Sequence, residues 1–159
     1  LNDNIKHLKR LFKDIHFNSY LEPVGNGKNV VKIPTKYGHP AYSSEKEASN
    51  DISKNLKVCK SISLDDLIKR LHINPTFIKI DVEGAEYNVI EGMSNILQNI
   101  KPLIMIEKHP TLLPKNINII QIDNLLIEKG YKLEKQIFKD DIAITEIWKN
   151  HNSSENTNF

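Results

Sequence analysis

The chain has 159 residues, and 22 Lys and Arg residues against 20 Asp and Glu residues give it a formal net charge of +2. That length fits one domain with a real core, and the scattered basic residues give no case for binding nucleic acid or an anionic membrane surface. The single cysteine, Cys59, excludes an internal disulfide, and no apolar stretch approaches the roughly 18–20 residues that span a bilayer, so we expect a cytoplasmic protein.

The first half of the chain predicts two helices with strands between them. Residues 2–14 carry apolar side chains along one helical face. Residues 17–35 read as two strands joined in a hairpin at Gly25, Asn26 and Gly27. Residues 36–55 have the composition of a surface loop, and "LKVCKSIS" predicts a strand. The stretch "SLDDLIKRLHI" then predicts a short helix capped by Ser63.

The second half alternates between strands and helices. The predicted order is the strand "TFIKID", the helix "GAEYNVIEGMSNILQN", the strand "LIMIE", the helix "NINIIQIDNLLIEKG" and a closing hairpin that turns at residues 139–141. This alternation predicts an α/β fold whose sheet is mostly parallel, with an antiparallel terminal hairpin. We expect one domain over residues 1–149 and a disordered polar tail over residues 150–159.

Two central strands of this predicted sheet end in an acid, Asp81 and Glu107. Ligands of open α/β sheets bind beyond the carboxyl ends of the strands, and adjacent strands lie about 4.8 Å apart, so both carboxylates could share one rim. Strand alternation places Lys79 on the face of Asp81, and His109 on the face of Glu107. Crowded carboxylates need compensation, which could come from Lys79, from His109, from a metal ion or from a cationic ligand.

Plainer interpretations of these residues stay open. Lys79 and Asp81 could form a structural ion pair, and Glu86 could complement the N-terminus of the next helix. Glu83 could be a helix cap, and His109 could be a strand-end residue turned outward rather than a general base or a metal ligand. The remaining histidines show no ligand spacing, so zinc is not expected, and "VGNGKN" lacks the strand–loop–helix setting of a phosphate-binding loop.

The segment "FIKIDVEGAEYNVIEGM", preceded by "SISLDDL" and followed by "PLIMIEKHP", strongly resembles the FkbM family of S-adenosylmethionine-dependent O-methyltransferases. The resemblance implies a class I, Rossmann-like methyltransferase fold and a hydroxyl acceptor on a sugar, a glycan or a polyketide-like product. It implies that Asp81 faces both the methionine end of the cofactor and the acceptor hydroxyl. By the same carry-over Glu83 and Glu86 would shape the substrate site, and Glu107 and His109 would line its far wall. Asp81 and Glu107 would also suit Mg²⁺ or Ca²⁺.

The chain departs from the family in one respect. The first strand, the glycine-rich cofactor loop and the second strand of the family are absent, so we expect an incomplete, C-terminal part of a methyltransferase that binds S-adenosylmethionine weakly. Two other interpretations compete. One is a non-catalytic remnant or interaction module of the same fold, and the other is a metal-dependent phosphoryl-transfer or hydrolase domain using Asp81, Glu83 and Glu107.

Overall fold

The structure is a computed structural model that describes residues 2–34 and 56–151. The loop predicted over residues 36–55 and most of the predicted tail therefore lie outside the described residues. The helical elements are α1 (Asn2–Leu11), α2 (Leu64–Leu71), α3 (Glu86–Glu91), a π-helical turn (Ile96–Ile100) and α4 (Ile119–Glu128). The strands are β1 (Val24–Gly25), β2 (Val30–Pro34), β3 (Leu56–Lys60), β4 (Ile62–Ser63), β5 (Phe77–Asp81), β6 (Leu103–Lys108), β7 (Tyr131–Lys139) and β8 (Ile144–Asn150).

The largest described sheet has four strands in the order β5-β6-β8-β7. Strands β5 and β6 are parallel, whereas β8 runs antiparallel to both β6 and β7. The α/β class and the terminal hairpin are therefore confirmed. The expectation of a mostly parallel sheet is met only in part among the described residues. The β1–β4 and β5–β6 pairings are parallel, and β2–β3 is antiparallel in addition to the pairings of the terminal hairpin.

The hairpin predicted around Gly25 and Gly27 does not form. β1 pairs in parallel with β4, and β2 pairs antiparallel with β3. The Asn26 side chain explains the change of direction, since its Oδ1 accepts the backbone N–H groups of Lys28 and Asn29 at 3.0 Å each. This side-chain turn directs β2 toward β3 instead of back along β1. The single strand predicted over "LKVCKSIS" correspondingly divides into β3 and β4.

The predicted start of α2 is confirmed. Ser63 Oγ accepts the backbone N–H of Asp66 at 3.0 Å, which satisfies one of the free donors of the first turn. Asp65, in the same turn, reaches across to the next helical segment. Its carboxylate accepts the backbone N–H groups of Asn95 and Ile96 at 2.8 and 2.9 Å. One short helix thus supplies the cap of another.

The helix predicted over residues 84–99 is interrupted. It appears as α3 followed by the π-helical turn, with Gly92 ending the first segment. A Cβ atom at Gly92 would collide with the carbonyl oxygen of Gly25, so the two backbones pack without side chains between them. The apolar face predicted for this helix is nevertheless fully buried, and it comprises Val89, Ile90, Met93, Ile96 and Leu97.

The core lies between one face of the four-stranded sheet and the helices α3 and α4. Ile104 and Ile106 of β6 point into it, whereas Glu107 belongs to the opposite face of the strand. The rim carboxylates therefore sit on the side that the described helices leave open. Asn150, the first residue of the predicted tail, instead ends β8 with only 1% of its surface exposed. Within residues 2–34 and 56–151, no helix is long and apolar enough to cross a membrane.

Candidate functional site

The two acids that end the central strands lie side by side. Asp81 and Glu107 are register partners and close the parallel pairing of β5 with β6. Their side chains keep 38% and 30% of their surface exposed, so both can contact a ligand from solvent. The expectation that these carboxylates share one rim is confirmed. The two carboxylates meet because β5 and β6 are parallel neighbours that end at the same edge of the sheet.

Lys79 compensates part of this negative charge. Its Nζ lies 2.7 Å from Asp81 Oδ2, which confirms the ion pair considered from the sequence. The hydrogen bond to Asp81, together with the charges of Asp81 and Glu107, raises the pKa of the Lys79 ammonium. Both partners are substantially exposed, so the pair contributes little to folding stability. The ion pair acts locally, because it holds the Lys79 ammonium beside the rim carboxylates.

His109 follows the end of β6 and is buried, so the interpretation that it turns outward is wrong. Its Nδ1 lies 2.9 Å from Glu86 Oε1, which is a hydrogen bond. Its Nε2 lies 3.6 Å from Glu107 Oε1, which is slightly beyond hydrogen-bonding distance. The imidazole therefore bridges a buried carboxylate on one side and the partly exposed rim on the other.

Glu86 opens α3 and is completely buried. Its Oε1 accepts the backbone N–H of Gly84 at 2.9 Å in addition to its contact with His109. Its Oε2 is buried and has no hydrogen-bond partner among the residues that the structure describes. Glu86 thus lies behind His109 rather than at the open rim. A role in substrate binding stays a prediction for this residue.

The loop between β5 and α3 is a tight turn that delivers Glu86 to this position. Glu83 and Gly84 both have positive φ values, 47° and 102°. A Cβ atom at Gly84 would collide with the carbonyl oxygen of Leu112, so glycine permits both the φ value and the close packing. Glu83 is not the helix cap that was considered, because Ala85 occupies the N-cap of α3. Its substrate-binding role also stays a prediction.

Asp81, Glu107 and His109 could together hold a cation, since one potential ligand atom from each lies within 4.8 Å of the others. Carboxylate oxygens suit Mg²⁺ or Ca²⁺, and the imidazole suits softer divalent metals. Lys79 already places a positive charge against Asp81. The Lys79 ammonium therefore balances part of the negative charge of this cluster. Metal binding by the cluster stays a prediction.

Asp81 and Glu107 present hydrogen-bond acceptors to solvent. His109 lies next to them, and its Nδ1 is hydrogen-bonded to Glu86. Such a site can bind hydroxyl or cationic groups and can accept a proton. Two surface concavities lie elsewhere, one around Lys129 and Asn150 and the other around Asp65 and His72. Neither contains a rim residue. The chemistry of the rim, rather than the depth of a pocket, marks it as the candidate site.

Sequence reasoning did not identify the contact between Glu86 and His109 or the packing of Gly84 on Leu112. Strand alternation correctly placed His109 near Glu107. No spacing rule, however, connects His109 to Glu86, which lies 23 positions earlier. The available signal was a carboxylate in the first turn of a helix that follows a strand ending in an acid. That pattern is also typical of a residue that merely complements a helix dipole.

Comparisons with known proteins identify the family of this chain and similar methyltransferases. The family model described as the methyltransferase FkbM domain matches residues 15–133. The hexuronic acid methyltransferase AglP of Haloferax volcanii is 37% identical over 77 residues, which cover 48% of this chain and 32% of that protein. The crystal structure of methyltransferase FkbM from Methylobacillus flagellatus KT matches with a TM-score of 0.56 at 17% identity, over 92% of this chain and 33% of that chain. The chain thus spans about a third of the length of both relatives.

Proposed function

This chain belongs to the FkbM methyltransferase family, and from that premise we propose that it forms the acceptor side of an S-adenosylmethionine-dependent O-methyltransferase. The acceptor is a hydroxyl of a sugar, a glycan or a similar small molecule. The observation that carries the proposal is the meeting of Asp81, Glu107 and His109 at the carboxyl ends of two parallel strands within the matched region. Open α/β sheets bind their ligands at that edge.

The rim fits one end of the proposed cofactor. S-adenosylmethionine supplies a methyl group on a positively charged sulfonium, and Asp81 and Glu107 offer carboxylates to a cation in that position. Three of the described glycines pack against other parts of the chain: Gly25 and Gly27 on Ser61 and Ser63, and Gly92 on Gly25. Weak cofactor binding by residues 1–159 alone stays a prediction.

The rim also suits a sugar hydroxyl as acceptor. Ionised carboxylates accept hydrogen bonds from hydroxyl groups, and Asp81 and Glu107 present two of them next to each other. AglP is named as a methyltransferase of a hexuronic acid, so a glycan that contains hexuronic acid is the first acceptor to test. The proposal therefore specifies methylation of a hydroxyl, with a uronic acid sugar as the leading candidate.

The residues at the rim would perform two tasks in the reaction. Methyl transfer is an in-line displacement, so the protein must first hold the acceptor oxygen in line with the methyl group. Hydrogen bonds from the acceptor to Asp81 and Glu107 would provide that alignment. The acceptor must also lose its proton as its oxygen attacks, and a carboxylate or the His109 imidazole at the rim can accept it.

A methyl-transfer assay on the whole gene product tests the function. It is incubated with isotopically methyl-labelled S-adenosylmethionine and three acceptors: a hexuronic acid glycan, a matched neutral glycan and a glycan with its hydroxyls blocked. We expect label on the first glycan and none on the blocked one. Label on neither unblocked glycan would contradict the proposal, and label on the neutral glycan alone would reject the uronic acid assignment.

Variants separate this function from the two competing interpretations. Asp81→Asn should lower methyl transfer strongly, whereas Glu128→Gln, an exposed change on α4, should leave it unchanged. A whole gene product that fails to bind S-adenosylmethionine would favour the non-catalytic remnant. Metal-dependent phosphatase activity that Asp81→Ala abolishes would favour the phosphoryl-transfer domain. Isothermal titration of residues 1–159 should show no binding at micromolar cofactor concentrations.

A further inference from the structure

The buried contact between Glu86 and His109 extends the proposed function to a specific base. We infer that Glu86 is a positioning residue that holds His109 with its Nε2 lone pair toward the rim, and that this nitrogen takes the proton of the acceptor hydroxyl. The inference rests on the proposed function only for the identity of the acceptor. The orientation of His109 can be tested without any methyl transfer.

The hydrogen bonds around Glu86 determine which histidine nitrogen carries the proton. Glu86 Oε1 already accepts the backbone N–H of Gly84, so it acts as an acceptor in this arrangement. In the proposed tautomer the His109 Nδ1 that lies 2.9 Å from the same oxygen is its second donor. In a neutral imidazole the proton on Nδ1 leaves Nε2 with a free lone pair. Glu86 thus selects the tautomer whose basic nitrogen faces the rim.

The rim side leaves Nε2 available to a donor. Nε2 of this tautomer and Glu107 Oε1 are both acceptors, and they lie 3.6 Å apart. Two acceptors cannot bond to each other, so the Nε2 lone pair stays available to a donor that enters the rim. A hydroxyl is such a group. It can give its proton to Nε2 while neighbouring hydroxyls of the same sugar donate hydrogen bonds to Glu107 and Asp81.

His109 is a better candidate for the base than Asp81. The ammonium of Lys79 lies 2.7 Å from Asp81 Oδ2 and competes for that carboxylate as an acceptor. His109 instead has a carboxylate, Glu86, directly behind it. The positive charge that forms on the imidazole when it takes a proton would therefore lie beside a negative one. Asp81 then serves to hold the acceptor and to face the sulfonium.

The proposed step transfers one proton to His109 and one methyl group to the acceptor oxygen. The acceptor O–H bond breaks and its proton bonds to His109 Nε2, while the oxygen forms the new bond to the methyl carbon. The bond from that carbon to the sulfonium sulfur breaks, and its electron pair stays on sulfur as a neutral thioether. His109 then releases the proton to solvent through the exposed side of the rim.

The burial of Glu86 favours a functional role over a structural one. Its side chain is completely buried, and one of its oxygens has no hydrogen-bond partner among the described residues. A buried polar atom without a partner is destabilising, so an apolar side chain would serve packing better at this position. A carboxylate in such a place is typical of a site that gives up stability for chemistry.

Nitrogen-15 NMR of His109 in the 159-residue chain is the primary test. In the unmodified chain at neutral pH we expect a proton on Nδ1 and none on Nε2. Glu86→Leu removes the acceptor of the Nδ1 proton, so this variant should populate the tautomer with its proton on Nε2. A wild-type chain with its proton on Nε2, or a tautomer that is the same in both proteins, would overturn the inference. The wild-type spectrum decides the question even if Glu86→Leu does not fold.

Kinetics of the whole gene product provide the second test. Glu86→Gln should lower kcat by at least about tenfold with KM within about twofold, because the amide lacks the negative charge that stabilises the protonated imidazole in the chemical step. Glu128→Gln is the matched control on another helix and should change neither constant. Unchanged kcat in Glu86→Gln would contradict the inference while leaving the methyltransferase proposal intact. Absence of transfer by the wild-type protein would reject that proposal and leave the tautomer result standing.

Discussion

Lys108 Nζ lies 2.6 Å from Glu146 Oε2, and both side chains are buried. Lys108 also contacts Asp123 Oδ1 at 2.8 Å, and its ammonium lies 5.8 Å from the centre of the Trp148 ring. These contacts connect β6, β8 and α4 on the core face of the sheet. This charged cluster lies on the opposite face of β6 from Glu107.

Removal of the buried cation should destabilise the fold. In Lys108→Met, Glu146 keeps its hydrogen bond to Trp148 Nε1 but loses the charge that compensates it. Breaking a buried ion pair in this way costs about 3–5 kcal/mol, and we expect a loss of that order in the free energy of unfolding. Urea unfolding followed by circular dichroism measures it.

Two further variants make that test specific. Lys79→Met removes a lysine whose ion pair is about half exposed, so it should change stability by no more than about 1 kcal/mol. The double variant Lys108→Met with Glu146→Gln removes both charges and should recover part of the loss. Equal effects of Lys108→Met and Lys79→Met would show that burial does not decide the strength of the pair.

A side chain at Gly92 should disrupt the junction between α3 and β1. The Cβ atom of Gly92→Ala would collide with the carbonyl oxygen of Gly25, which is backbone and cannot move aside cheaply. We expect a loss of about 1–3 kcal/mol in the free energy of unfolding, as for other overpacked sites. The exposed Ser94→Ala, two residues further along, should stay within about 0.5 kcal/mol. Similar denaturation midpoints for the two variants would contradict the close packing.

A side chain at Gly84 should impair activity as well as stability. Gly84→Ala combines a strained φ with a collision at Leu112, and the backbone N–H of Gly84 is one of the two donors to Glu86 Oε1. Displacement of this loop should misplace His109 and lower the proposed methyl transfer by the whole gene product about a hundredfold, measured in the labelled-methyl assay. Thr111→Ala, an exposed change beside Leu112, should retain activity. Full activity in Gly84→Ala would show that the loop does not position the site.

The hairpin turn should make stability depend on pH. Asp140 Oδ1 accepts the backbone N–H groups of Ala143 and Ile142, and these bonds lower the pKa of the Asp140 carboxyl. A lowered folded-state pKa stabilises the fold above the unfolded-state value of about 3.9, and this contribution is lost as the pH falls through the folded-state pKa. Wild type should therefore be more stable than Asp140→Asn at neutral pH, and the difference should vanish in strong acid.

Denaturant midpoints measured for both proteins across that range provide the test. The two midpoints should converge as the pH falls from about 5 to about 2, where the Asp140 carboxyl becomes protonated in both folded and unfolded chains. A difference that stays constant over the whole range would mean that the charge of Asp140 does not contribute to the turn.

Local signals in the sequence determined most of the elements. The apolar face of α3 and its following turn, the Ser63 cap of α2, the terminal hairpin and the acids that end β5 and β6 were all predicted correctly. Each of these depends on residues a few positions apart, because side-chain periodicity and capping act over one or two turns. The rim formed by Asp81 and Glu107 followed as well, since parallel strands of a sheet end at a common edge.

Only the tertiary structure decided how distant segments meet. The partners of β1 and β2, the break at Gly92 and the contact of Glu86 with His109 all join residues that no local rule relates. The burial of Lys108 was likewise not predictable from local sequence. A lysine that ends an apolar strand is expected to face solvent, and its partners Asp123 and Glu146 lie on other elements. The physical reason is that such contacts depend on the packing of backbone and charge across the whole fold, which sequence spacing does not encode.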